Sequence, residues 1–167
     1  MKRLALAAAT LALVANVQAA SAPAPEYVTI KMEIDVAKPA AEVWAKVGAY
    51  CDIGKWAKGL DCVITSGDGG IGTVRSLGGG RIKEILVGKT DLSYGYTQPA
   101  VEGRFYDLYH GFMEAKPVTA TTSKILYTLM LDESDKADKA AKDADVARRR
   151  TQFEGLLKVM KEMAEAK

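Results

Sequence analysis

The sequence predicts an α+β domain: a curved antiparallel sheet of about seven strands covered by a long C-terminal helix. Three observations carry this. Residues 27–36 alternate apolar and polar side chains over a full strand length. Short strand-like pieces then follow one another between 61 and 131, with too few residues between them for crossover helices, so they pair as antiparallel hairpins. The tail from Lys136 to Lys167 has no proline and a single glycine, and its apolar residues recur at helical steps.

The elements follow in order. Tyr27–Val36 places Val28, Ile30, Met32, Ile34 and Val36 on one face, the pattern of a half-buried strand. Pro39 suits a first helical position, and Glu42 in the first turn faces the positive end of the helix dipole. Val43, Trp44 and Val47 give that helix its apolar side. Tyr50 to Lys58 reads as a second short helical piece carrying Ile53 and Trp56. Strands are then expected at 62–65, 72–77, 81–87, 92–97, 104–113 and 122–131, each bounded by Gly, Pro or Asp clusters. In the tail, Phe153, Leu156, Leu157, Met160 and Met163 form the buried stripe. Its first part, Lys136 to Asp145, is rich in Ala, Lys and Asp and is expected to fray.

Composition narrows function by exclusion. The chain has 167 residues, 49% hydrophobic and 26% charged, which suits one folded domain. A net charge of +2 is no polyphosphate-binding balance, so no nucleic-acid partner is expected. One histidine and two cysteines cannot build a histidine-rich or four-cysteine metal site. No metal, cofactor or catalytic residue is assigned.

The amino terminus reads as an export signal. Met1-Lys2-Arg3 is a positive start, Leu4 to Ala15 is apolar but for Thr10, and small residues follow. Residues 1–19 are expected to be removed by cleavage after Ala19, or alternatively Ala22, leaving a linker at 20–26 and a domain at 27–167. Removal takes 2 of 23 basic residues, so 21 face 21 acidic ones. The expectation is a periplasmic or secreted protein without a stable membrane anchor. In an oxidising compartment Cys51 and Cys62 are expected to form a disulfide.

Three segments carry a family resemblance. They are Ala37-Lys38-Pro39-Ala40-Ala41-Glu42-Val43-Trp44, Tyr50-Cys51-Asp52-Ile53-Gly54-Lys55-Trp56, and Gly67-Asp68-Gly69-Gly70-Ile71-Gly72-Thr73-Val74-Arg75. With the element order, they resemble the START/Bet v 1-like superfamily, also called the polyketide cyclase and lipid-transport family, from Tyr27 to about Met163. The resemblance implies a helix-grip fold with an apolar cavity between sheet and helix. Family membership implies a fold better than a function.

Gly67 to Gly72 matches the dinucleotide pattern of three glycines, but a strand-like run follows where a nucleotide fold needs a helix. It reads as a turn at the cavity mouth. Arg75 and Glu84 flank the Gly78-Gly79-Gly80 turn. They pair across a hairpin at the surface, or point inward and hold a ligand's polar end; the surface pair is the simpler reading. His110 is the single histidine, the residue type suited to acid–base work, and a structural or exposed role is its simpler reading. Tyr94, Tyr96, Tyr106, Tyr109 and Tyr127 crowd the later strands. Parity leaves open whether Tyr106 and His110, or Tyr109 and Met113, face inward. Phenols on inward faces suit a lined cavity, closed from the helix side by Leu157 and Met160.

The expected function is an exported, non-enzymatic binding protein for a small hydrophobic or amphipathic molecule. The resemblance implies two alternatives. One is an accessory protein of a periplasmic quinoprotein dehydrogenase of the methanol type, meeting the dehydrogenase or its cytochrome through protein contact. The other is a cyclase- or hydrolase-type enzyme.

Overall fold

The computed structural model describes residues 24–100, 102 and 109–167. The expected leader at 1–19, much of the linker at 20–26, and Tyr106 lie outside the described residues. Strand β1 (Tyr27–Val36) leads into helices α1 (Ala40–Val47) and α2 (Ile53–Trp56). Strands β2 (Cys62–Ser66), β3 (Val74–Leu77), β4 (Ile82–Thr90), β5 (Ser93–Thr97), β6 (Tyr109–Pro117) and β7 (Ser123–Asp132) follow, then helix α3 (Lys139–Glu165). The strands form one seven-stranded sheet in the order β1-β7-β6-β5-β4-β3-β2, antiparallel throughout. This is the α+β helix-grip architecture expected from the sequence.

The alternation of β1 decides its orientation. Ile30, Met32 and Val36 are buried while Lys31, Glu33 and Asp35 are exposed. The partner strand β7 repeats the pattern with Ile125, Tyr127, Leu129 and Leu131 inward. Parity on β6 is resolved as well: Gly111, Met113 and Ala115 are buried, and Phe112 and Glu114 face out. Tyr109 therefore belongs to the inner face and His110 to the outer one. The β6 strand runs on to Pro117, past the expected end at Met113.

One glycine is required by a close approach. A Cβ built on Gly111 would sit 2.2 Å from the Tyr96 ring, so the ring lies flat on that backbone. Gly78, with a φ of 56°, opens the β3–β4 turn in the left-handed region that favours glycine.

Helix α3 lies across the concave face through Leu157, Met160 and Ala164, all in its second half. Its start is better fixed than the Ala/Lys/Asp composition suggested. The Asp138 side chain caps the helix by accepting from the Ala141 N–H at 2.9 Å. Glu26, expected in a loose linker, is tied in: its N–H donates to Asp132 Oδ1 at 2.7 Å and its carboxylate pairs with Lys142. Cys51 and Cys62 form a disulfide with Cα atoms 5.4 Å apart. Among the described residues no helix is long and apolar enough to cross a membrane.

Candidate functional site

The concave face carries a buried ion pair. Arg75 on β3 and Glu84 on β4 are direct cross-strand partners. Both point inward, with side-chain exposures of 0% and 5%, so the surface-pair reading is overturned. The physical reason is register: Arg75 and Leu77 share parity, and Leu77 is core. Arg75 Nε donates to Glu84 Oε2 at 2.8 Å, and Nη2 lies 2.6 Å from the same oxygen. Nη1 donates to the Tyr50 carbonyl. The guanidinium also sits over the rings of Tyr50, Tyr96 and Tyr94, at 4.1, 4.9 and 5.6 Å. Aromatic faces thus stand in for the water that burial removes.

Burial pushes the Glu84 carboxyl above its usual range, and the Arg75 charge and hydrogen bonds from Arg75 and Gln98 pull it partly back. Burial opposes the Arg75 charge, but the faces of Tyr94 and Tyr96 and the Glu84 carboxylate outweigh it and keep the guanidinium protonated.

A chain of phenols continues from this pair. The Tyr96 and Tyr127 hydroxyls are 2.8 Å apart, and the Tyr109 ring lies beside that of Tyr96 with centroids 6.2 Å apart. Burial drives Tyr96 and Tyr127 well above the normal phenol range, and Tyr109 to about 12. All three remain neutral hydroxyls at physiological pH, able to donate a proton to an acceptor but not to carry charge.

An opening of about 200 Å³ reaches this polar chain from outside, between α2, the β3–β5 strands and α3. Its apolar walls are Ile53, Leu60, Leu77, Ile82, Phe153 and Leu156. Its polar groups are Glu84, Tyr96, Gln98, Tyr109, Arg149 and Gln152. A shallower recess of about 170 Å³ shares Gln98, Tyr109 and Arg149 with it. Arg149 lies 5.6 Å from the Tyr109 ring and is held by Asp145 at 2.6 Å.

Of the residues expected to line a cavity, Glu84, Tyr96 and Tyr109 come together at this opening, with Arg75 directly behind Glu84. Tyr127, Leu157 and Met160 are packed into the core and do not line it. Tyr94 lies on the far side of Arg75, against Trp44 and Tyr50. His110 is on the opposite face of the sheet, its ring 6.1 Å from Tyr27, because its parity on β6 is that of Phe112. Gln98, Arg149, Gln152, Phe153 and Leu156 were not among the expected site residues. Phe153 and Leu156 were visible in the helical stripe, but which flank of that stripe meets the opening depends on how α3 is rotated. Gln98 carries no local signal.

A second carboxyl cluster ties α3 to the end of β7. Glu133 is fully buried, and neither of its oxygens accepts a hydrogen bond from the described residues. Burial, then its approach to Asp145, pushes the Glu133 carboxyl up. Burial also pushes Asp145 up, but hydrogen bonds from Arg149 and Arg148 outweigh that and hold it at about 2. A carboxyl raised in the folded state stabilises below its unfolded pKa and loses that contribution as pH rises through the folded value. Glu133→Gln is therefore expected to stabilise the fold by on the order of 1 kcal/mol at pH 8 and to be near neutral at pH 4. Thermal denaturation at the two pH values measures this, and a pH-independent difference would refute it.

The family model described as "Polyketide cyclase / dehydrase and lipid transport" matches residues 27–162. A solution NMR structure from Thermobifida fusca aligns with a TM-score of 0.66 at 20% identity, covering 81% of this chain and 92% of that one. The crystal structure of Ara h 8.0201 aligns at 0.60 with 18% identity, over 83% of this chain and 98% of that one. The di-domain ARO/CYC BexL from the BE-7585A biosynthetic pathway aligns at 0.62 with 15% identity, over 84% of this chain and 51% of that one. At these identities the likeness is one of fold. No curated protein is a significant match.

Proposed function

The chain belongs to the polyketide cyclase / dehydrase and lipid transport family, and from that premise we propose that it is an exported carrier holding one small amphipathic molecule between the sheet and α3. The observation that carries this reading is the opening whose apolar walls end on Glu84, Gln98, Tyr96 and Tyr109. Apolar walls with a few convergent polar groups suit a ligand with a hydrophobic body and one or two hydroxyl or carbonyl groups. Its volume of about 200 Å³ is below the usual 300–1,000 Å³ range of ligand cavities, so the ligand is compact, one or two rings rather than a long acyl chain. The phenol chain supports the same chemistry, since Tyr109 is its member nearest solvent and offers a neutral hydroxyl to a carbonyl or phenol. The disulfide and the Lys2-Arg3 start with its apolar run support export.

Native mass spectrometry of protein purified from the exported fraction reads both halves of the proposal. The expected result is a chain lacking residues 1–19 together with a bound molecule, or, for empty protein, uptake of 2-naphthol with micromolar affinity. Leu156→Trp fills the opening and is expected to abolish that uptake while the folded spectrum is kept. Uptake unaffected by Leu156→Trp would place the ligand elsewhere and overturn the site.

A further inference from the structure

A second recess, of about 330 Å³, opens on the other side of Arg75. It lies between the end of α1, the glycine loop and the β4–β5 hairpin, and shares no lining residue with the opening under α3. The barrier between them is the stack of Tyr50, Arg75 and Tyr94 described above.

The walls of this recess are aromatic. The Trp44 ring lies over the Gly48 backbone, so close that a Cβ on Gly48 would fall 2.2 Å from the indole. Trp44 and Tyr94 ring centroids are 5.7 Å apart, and Tyr50 meets Tyr94 edge-on at 5.4 Å. Leu86 completes the apolar lining. The Tyr50 hydroxyl is buried and has no hydrogen-bond partner among the described residues. A buried hydroxyl left unpaired costs roughly 1–3 kcal/mol, so the native fold retains it against a stability cost.

The rim has a single charge. Lys89 and Ser93 are the polar side chains lining the recess besides Tyr50 and Tyr94. Lys89 Nζ donates to the Gly69 carbonyl at 3.2 Å and makes no ion pair among the described residues. The neighbouring Asp68 is turned to its own loop, accepting from the Gly70 N–H at 3.0 Å. An aromatic-walled recess with an ammonium that has no carboxylate partner among the described residues, and a hydroxyl beside it at the mouth, fits one chemistry. We infer that this recess is a second ligand site, for a planar aromatic molecule bearing a single carboxylate. The ring packs against the wall that the touching Trp44 and Tyr94 rings form together, and the carboxylate meets Lys89 and Ser93. The size supports this, since about 330 Å³ lies within the range of small-molecule cavities.

Trp44 makes the site observable. The chain has two tryptophans, and Trp56 is buried with its Nε1 donating to the Val47 carbonyl at 3.3 Å, so it serves as an internal control. Titration with trans-cinnamate, followed by the indole N–H resonances, is expected to move the Trp44 signal saturably and leave Trp56 in place. Cinnamide, isosteric but uncharged, and the Lys89→Gln variant are each expected to weaken binding about tenfold, the effect of losing one charge-assisted contact. Ala45→Phe, at an exposed helix position lining the recess, should abolish it, and Leu156→Trp should not. The inference is overturned if Trp44 does not respond at millimolar cinnamate. It is equally overturned if cinnamide binds as well as cinnamate, or if Leu156→Trp removes binding while Ala45→Phe keeps it. That last outcome would leave the carrier site under α3 standing, so the two proposals fail separately.

Discussion

Replacing Glu84 by Leu is expected to cost the protein about 3–5 kcal/mol, the largest effect of any single substitution considered. The guanidinium of Arg75 has no solvent exposure, and Glu84, at 2.6–2.8 Å, is its only carboxylate partner among the described residues. Arginine does not deprotonate, so once Glu84 is gone the charge cannot be relieved. The Tyr50 carbonyl and three aromatic faces remain, but none is an anion. Arg75→Met should cost less at low pH, because Glu84 can take up a proton where Arg75 cannot lose one. With its partner removed, the Glu84 carboxyl rises further. Its stabilising contribution then lies below its unfolded pKa and is lost as pH rises through the folded one, so this variant should weaken from pH 5 to pH 8. The double variant Arg75→Met/Glu84→Leu keeps the volume and removes both charges, and should recover most of the loss. Urea unfolding of the four proteins closes the cycle. A Glu84→Leu cost under about 1 kcal/mol, or a double variant no better than the worse single one, would mean the pair is not the desolvated unit described.

The same pair shows how much of the site could be read from sequence. Its cross-hairpin pairing was legible, since three glycines between two short strands fix the register of Arg75 against Glu84. Its burial was not. A charged residue on a strand is ordinarily placed outside, and only the parity of Arg75 with Leu77 argued otherwise. The sheet itself was legible because period-2 alternation in β1 and β7 leaves one choice of face. On β6 the polar and apolar residues are mixed on both parities, so Tyr109 and His110 could not be assigned until Gly111 was seen beneath Tyr96. The glycine loop is legible as a turn because a strand-like run follows it, and β3 begins at Val74, where a nucleotide-binding helix would have begun. The opening under α3 was legible only as a region. Helical periodicity identifies the stripe from Phe153 to Met163, but which side of the stripe meets the opening, so that Leu156 lines it while its neighbour Leu157 is in the core, is set by tertiary docking.

Removing the disulfide is expected to cost about 3 kcal/mol without unfolding the domain. The bond joins residues 11 apart, and a loop of that size loses this much freedom in the unfolded chain when closed. The native loop has its own anchors. Trp56 is 1% exposed, and Asp52 accepts from the Ala49 N–H at 2.9 Å. These hold α2 in place when the bond is broken, so the Cys51→Ser/Cys62→Ser protein should keep the native fold with a lower urea midpoint. The functional effect should exceed the structural one. Ile53 and Leu60, both inside the disulfide loop, form one wall of the opening under α3. A wall that samples more positions must be ordered again when a ligand enters, so affinity at that opening should fall in the reduced or doubly substituted protein. Cinnamate binding under α1 should change less, because its Trp44 and Lys89 contacts lie outside the loop. Urea unfolding with and without reductant, paired with a 2-naphthol titration, measures both effects. A midpoint unchanged by reduction would show that the bond does not restrict the unfolded chain, and an unchanged naphthol affinity would show that α2 is held by Trp56 and Asp52 alone.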